Sequence, residues 1–210
     1  MNGATLVAIA YLLGSIPTAV WISRIFFGID IREHGSKNMG ASNTFRVLGS
    51  FWGIVVLLID MGKGIAAVQL YRWLQSSTWM SHEIHFWQLM LGLTAVLGHI
   101  FPVFAGFKGG KGVATLFGVV IAIQPWIALI SVLSFLLVVA LTRYISLGSI
   151  AGVLVFLGCV LFVFKEENIF IRWFSGISAL VVVFMHRSNL ARLVKGTENK
   201  FKFKNRQKRN

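Results

Sequence analysis

A chain of 210 residues that is 56% hydrophobic and only 13% charged is too apolar for an ordinary water-soluble domain of this length. Its formal charge of +13 first suggests nucleic acid, but nine of its twenty Lys and Arg residues lie within 187–210, so the charge gathers beside one terminus and marks topology instead. The lone cysteine, Cys159, sits in an apolar run, which excludes a disulfide framework and a cysteine metal site.

A bilayer core about 30 Å thick is crossed by ~20 apolar residues in helical form. In chain order the candidate spans are 4–27, 51–74, 86–105, 113–142, 145–164 and 169–185. The first has no Lys or Arg before Trp21 and no A-x-A-like cleavage site, so it reads as a retained span. Gly14-Ser15-Ile16-Pro17 interrupts it, and Asp60-Met61-Gly62-Lys63-Gly64 places two charges inside the second. Charges within a span are costly and face a partner in the protein interior, so Asp60 and Lys63, three apart, are expected to neutralise each other and to support the loops beyond. The run 113–142 is thirty residues without a charge, with Gln124-Pro125 near its middle as a turn.

Sidedness decides how to divide that run. As one helix it would put the basic tail opposite the loops around Ser36 and Lys111, against the positive-inside rule; split near Pro125 it puts sixteen of the twenty basic residues in the cytoplasm. The sequence therefore predicts an all-α integral membrane protein of seven transmembrane helices, several short or interrupted, with the N-terminus outside and the C-terminus cytoplasmic. Residues 1–199 form one transmembrane domain, and 200–210 form a basic cytoplasmic tail held against anionic lipid. Gly148, Gly152 and Gly158 are expected to allow tight helix packing.

Three polar segments then share the cytoplasmic side. The first runs from Asp30 to Arg46, where Gly35, Ser36, Lys37, Asn38, Gly40, Ser42 and Asn43 are turn formers and neutral hydrogen-bonding groups flanked by Arg32 and Arg46. Such a set can wrap an anion, although polar loops are also ordinary. The second contains Phe107-Lys108-Gly109-Gly110-Lys111-Gly112, where glycines let the backbone approach a ligand and lysines add charge. The helix that begins near Val113 would aim its N-terminal N–H groups at the same place. This is not a nucleotide P-loop: Gly106 to Gly110-Lys111 is one residue short of G-x-x-x-x-G-K, and Gly112 replaces the hydroxyl residue that would hold magnesium. The third runs from His186 to Glu198, with His186 and Asn189 on one face of a continuing helix and Arg187 and Arg192 at hand. No histidine has an aspartate five residues on, so no H-x-x-x-x-D motif is present, and the scattered histidines and few carboxylates offer no metal site.

In series, GSKNMGASNTFR, GHIFPVFAGFKGGKGVAT and HRSNLARLVKGTE resemble the bacterial membrane acyl-phosphate:glycerol-3-phosphate acyltransferases, the PlsY family, from Gly14 to Glu198. The resemblance implies an inner-membrane enzyme with its active site facing the cytoplasm. It moves a fatty acyl group from acyl phosphate to the 1-hydroxyl of glycerol 3-phosphate, giving lysophosphatidic acid and phosphate. By motif position, Ser36, Lys111, His186 and Asn189 would be catalytic. Asn38, Asn43, Arg46, Lys108, Gly109 and Gly110 would bind substrate and phosphate, with Asp60, Lys63 and Glu198 behind them. No cofactor, nucleotide or nucleic acid is implied, membrane lipid is the surroundings, and a single copy is the working expectation. Lys37 stands where the family commonly has glycine, and Ser42 where threonine is common. The rival expectation from the same broken helices and cations is a transporter of an organic phosphate.

Overall fold

The computed structural model of the protein describes residues 2–74 and 81–201; the greater part of the expected basic tail, 202–210, lies outside the described residues. Ten α-helices follow in order: α1 Gly3–Ser15, α2 Thr18–Phe27, α3 Ala41–Val47, α4 Ser50–Gln69, α5 Ser81–Ile100, α6 Val113–Ile123, α7 Pro125–Thr142, α8 Ile145–Gly158, α9 Ile169–Met185 and α10 Arg187–Val194. There is no strand among the described residues. Single helical turns extend α4 through Trp73 and α8 through Val163.

Among the described residues, four helices are long and apolar enough to cross a membrane: Ser50–Trp73, Glu83–Ala105, Pro125–Thr142 and Ile145–Val163. The pairs α1–α2 and α9–α10 also qualify if each is one bent span, with bends of 41° and 54°. The first bend sits at Ile16-Pro17, because proline has no N–H to continue the ladder and pushes the residue before it out of helical geometry. The expected division at Gln124-Pro125 is present: α6 ends at Ile123 and Pro125 opens α7, the position where its missing N–H costs nothing. At eleven residues α6 is short for a crossing helix.

Lipid tails are as apolar as leucine, so the bundle is held by close packing more than by hydrophobic exclusion. A Cβ on Gly14 would strike the backbone of Ala95, and one on Gly64 or Gly118 would strike the facing backbones of α6 or α4. Small residues therefore bring α1 onto α5 and α4 onto α6 at backbone distance. Gly148 and Gly152 do the same for α8 against α7, as expected, whereas Gly158 faces open space and contributes no such contact. The largest apolar cluster joins α5, α6, α8 and α9 through Leu116, Val119, Phe156, Phe174 and Val182. Outward, Leu133, Leu136, Leu137, Leu141, Leu180 and Phe184 are exposed, an apolar coat suited to lipid.

Candidate active site

The site is built at the end of the bundle where the chain leaves regular helix four times. After α2, Asp30 caps a single turn at Ile31–Glu33 and accepts from both Arg24 and Arg32 at 2.7 Å. Hydrogen bonding from Arg32 holds the Asp30 carboxyl well below the ordinary range. The other face of the Arg32 guanidinium donates to the carbonyl of Ala105, 3.0 Å away, and so ties this loop to the one after α5. Within the loop, Asn43 is buried; its oxygen accepts the Ser36 N–H at 2.8 Å and its NH2 group donates to the carbonyls of Ile31 and His34. Both ends of that amide are spent on backbone. Asn43 therefore shapes the loop. Asn38 accepts from Gly40 N–H at 2.9 Å and turns the chain into α3. Lys37 has φ +59°, in the left-handed region that glycine occupies without cost. That is a physical reason for glycine at this position, and Lys37 carries the strain instead.

The second loop folds back on the end of α5. Gly110 N–H donates to the carbonyl of His99 at 3.1 Å, and a Cβ on Gly109 or Gly110 would collide with the His99 and Ile100 carbonyls or the His99 ring. The amide of Gly110 is thus committed to the His99 carbonyl. Gly112, at φ +76°, then turns the chain into α6, whose first N–H groups point back toward the loop. Lys108 is exposed, while Lys111 is half-buried and donates to the Asn189 side-chain oxygen. Burial pushes the Lys111 ammonium down to about 8.

At the third segment the helix does not continue. It bends by 54° at His186, which closes α9 and opens α10. The backbone carbonyl of Val182 lies 2.8 Å from His186 Nδ1; a carbonyl can only accept, so Nδ1 carries the proton and Nε2 is the free acceptor of the neutral ring. Asn189, in the first turn of α10, relays Lys111 to Glu198: its NH2 donates to Oε1 at 2.6 Å. Ser146 donates to the same oxygen at 3.0 Å, and Arg192 Nε donates to Oε2 at 2.7 Å. Burial pushes the Glu198 carboxyl up, but the bonds from Asn189, Arg192 and Ser146 outweigh it and hold the group below its usual range. The strand of chain that carries Glu198 is pinned by Phe201 N–H to the Arg143 carbonyl at 2.7 Å and by the edge of Phe201 against Phe45 of α3.

Those links bring the first loop, the second loop, α10 and the α7–α8 turn to one end of the molecule. Ser36 Oγ and the Arg46 guanidinium have no hydrogen-bonding or ionic partner among the described residues, so both are open to a ligand. A cavity of about 400 Å³ lies between the first two loops, lined by Asp30, Arg32, Glu33, Lys37, Met39, Lys108 and Gly109. Ser146 was not legible in the sequence as part of this network, since a serine opening an apolar helix carries no signal. The clasp of Arg32 on Ala105 is equally a product of folding.

The family model for glycerol-3-phosphate acyltransferase matches residues 4–196. The chain belongs to the glycerol-3-phosphate acyltransferase family. A member from Fusobacterium nucleatum is 41% identical over 197 residues, covering 94% of this chain and 97% of the relative. Among solved structures, PlsY, an integral membrane glycerol 3-phosphate acyltransferase, superposes in its glycerol 3-phosphate form with a TM-score of 0.83 at 37% identity, covering 95% of this chain and 96% of that one. Its lysophosphatidic acid form superposes with a TM-score of 0.81 at the same identity, covering 96% of each. All three motif segments fall within or at the edge of the matched region, and only Glu198 of the proposed network lies just past residue 196.

Proposed function

We propose that the chain transfers a fatty acyl group from acyl phosphate to the 1-hydroxyl of glycerol 3-phosphate, releasing lysophosphatidic acid and inorganic phosphate. Family membership and the PlsY likeness support the acceptor and the product. The observation that carries the site is the Lys111–Asn189–Glu198–Arg192 network lying at the same end as the unpaired Ser36, Arg46 and Lys108. Two phosphates and one carbonyl need several cations and donors with little else, because phosphate already departs well from a mixed anhydride. The glycerol oxygen attacks the acyl carbon, the bond from that carbon to the bridging phosphate oxygen breaks, and the leaving phosphate takes the hydroxyl proton. Lys111, Arg46 and Ser36 bind the phosphate groups and stabilise the developing charge, with Asn38 and the Gly109 amide alongside and Lys108 at the rim. His186, fixed as an Nε2 acceptor, orients the attacking hydroxyl, and Asn189 and Glu198 hold Lys111 in place.

We take the four full spans, the two bent pairs as one span each and the short α6 as seven crossings, with the N-terminus outside and the site on the cytoplasmic side of the inner membrane by the positive-inside rule. Residues 1–199 act as one domain and as a single copy. Purified protein in detergent, supplied with palmitoyl phosphate and glycerol 3-phosphate, should release phosphate only when both are present. Phosphate release without the acceptor, or acylation from another donor alone, would overturn the donor assignment.

A further inference from the structure

A second polar group lies away from the loops, inside the bundle. Asp60, Lys63 and His99 are 1%, 5% and 3% exposed, and come from α4 and α5. Lys63 Nζ lies 2.6 Å from Asp60 Oδ1 and also donates to the carbonyl of Ile16, which takes the Thr18 N–H as well where α1 breaks before Pro17. Thr18, at the start of α2, donates to the same Asp60 oxygen at 3.0 Å. One ion pair therefore satisfies the broken first span from both sides of the break. His99 Nδ1 faces that oxygen from 3.8 Å and makes no hydrogen bond. On its other side the His99 ring lies against Gly110, with Nε2 where a Cβ would be, and its carbonyl takes the Gly110 N–H. Lys111 follows directly.

We propose that His99 is a positioning residue for the phosphate loop: wedged between the buried Asp60–Lys63 pair and Gly110, it fixes the backbone from which Lys111 reaches the site. The inference rests on the reading of Lys111 as a phosphate ligand. The ring fills the space that a Cβ on Gly110 would need, and the His99 carbonyl holds the Gly110 amide, so side chain and backbone of one residue both bear on the loop. A rigid second layer of this kind matters because displacement of a binding group by about 1 Å is enough to cost on the order of 100-fold in rate. The wedge also explains two adjacent glycines at 109 and 110 that a simple turn does not require: they make room for the end of α5.

The test is a double-mutant cycle with His99→Ala and Lys111→Gln, followed by phosphate release and by thermal unfolding in detergent. His99→Ala is expected to lower kcat/KM about tenfold or more, and to add no further loss in the Lys111→Gln background, because its effect passes through Lys111. His99→Gln, whose amide can reach the Nε2 position against Gly110, should recover most of the loss. Gly110→Ala attacks the same contact from the loop side without touching α4 and should reproduce the effect if His99→Ala fails to fold. Losses that multiply in the double variant, or native kinetics in both His99→Ala and Gly110→Ala, overturn the proposal while leaving Lys111 as ligand. Native activity in Lys111→Gln itself would instead remove the phosphate-ligand reading, and the His99 role with it.

Discussion

The buried cluster around Asp60 and the network around Lys111 use similar residues and behave differently. In the first, Asp60 Oδ1 accepts from Thr18 and Lys63, and the Lys63 ammonium donates also to the Ile16 carbonyl, so the pair is held inside the bundle by partners from the fold itself. In the second, every contact leads toward an open end: Lys111 leans on Asn189 with donors to spare, and Ser36 and Arg46 are uncommitted. A charge whose partners are all supplied by the fold supports the fold. A set of cations held in place by one carboxylate, with more positive charge than the protein neutralises, is prepared for an anion from outside.

Breaking the first group should therefore cost stability, and breaking the second should cost rate. The largest effect is expected for Lys63→Met, which leaves the buried Asp60 charge without its cation; loss of one member of a buried pair costs about 3–5 kcal/mol, read as a lower unfolding temperature in detergent. Asp60→Leu combined with Lys63→Met should regain part of it. If the single variant unfolds like the native protein, that reading fails. Next, Lys111→Gln should reduce kcat/KM by roughly 10²–10³-fold with the unfolding temperature nearly unchanged, as expected for loss of a charge-stabilising donor.

A pH profile sharpens the same contrast. Lys111 is charged below its depressed value of about 8 and neutral above it, so kcat/KM for the free enzyme should fall as pH rises through about 8. Lys111→Arg should move that limb upward, because guanidinium stays protonated. His186→Gln should retain a residual rate with the limb in the same place; a changed pH dependence would instead make the histidine a general base. Glu198→Gln weakens the hold on Arg192 and Asn189 and is expected to cost about tenfold in kcat/KM through a displaced Lys111. The smallest effect belongs to Lys37→Gly, which relieves the left-handed backbone at φ +59° and should stabilise by about 1 kcal/mol, with a change in rate below about threefold.

The helical architecture and the location of the site were legible at the level of segments, and individual side-chain duties were not. Charge-free runs and the proline at 125 mark where helices start and stop because those preferences are local, and α6 and α7 divide where proline demands. Local pattern also placed Ser36 and Lys111 in loops, but it did not show that Arg46 would sit in the last turn of the short helix α3. It did not show that Asn43 and the Gly110 amide are consumed by neighbouring backbone, since their partners at Ile31, His34 and His99 depend on how the loops fold back. Nor did it show the bend at His186, where helical spacing alone suggested one continuous face.

From sequence alone came the membrane class, the order of spans, the three polar segments and their resemblance to a family of acyltransferases, because composition, periodicity and motif spacing are properties of neighbours along the chain. Only the tertiary structure decided which polar groups are spent and which are free. Ser146 meets Glu198 across 52 residues, and Lys111 meets Asn189 across 78. Such pairings are set by which helix faces pack together, and that is settled when small residues let α1 close on α5 and α4 on α6.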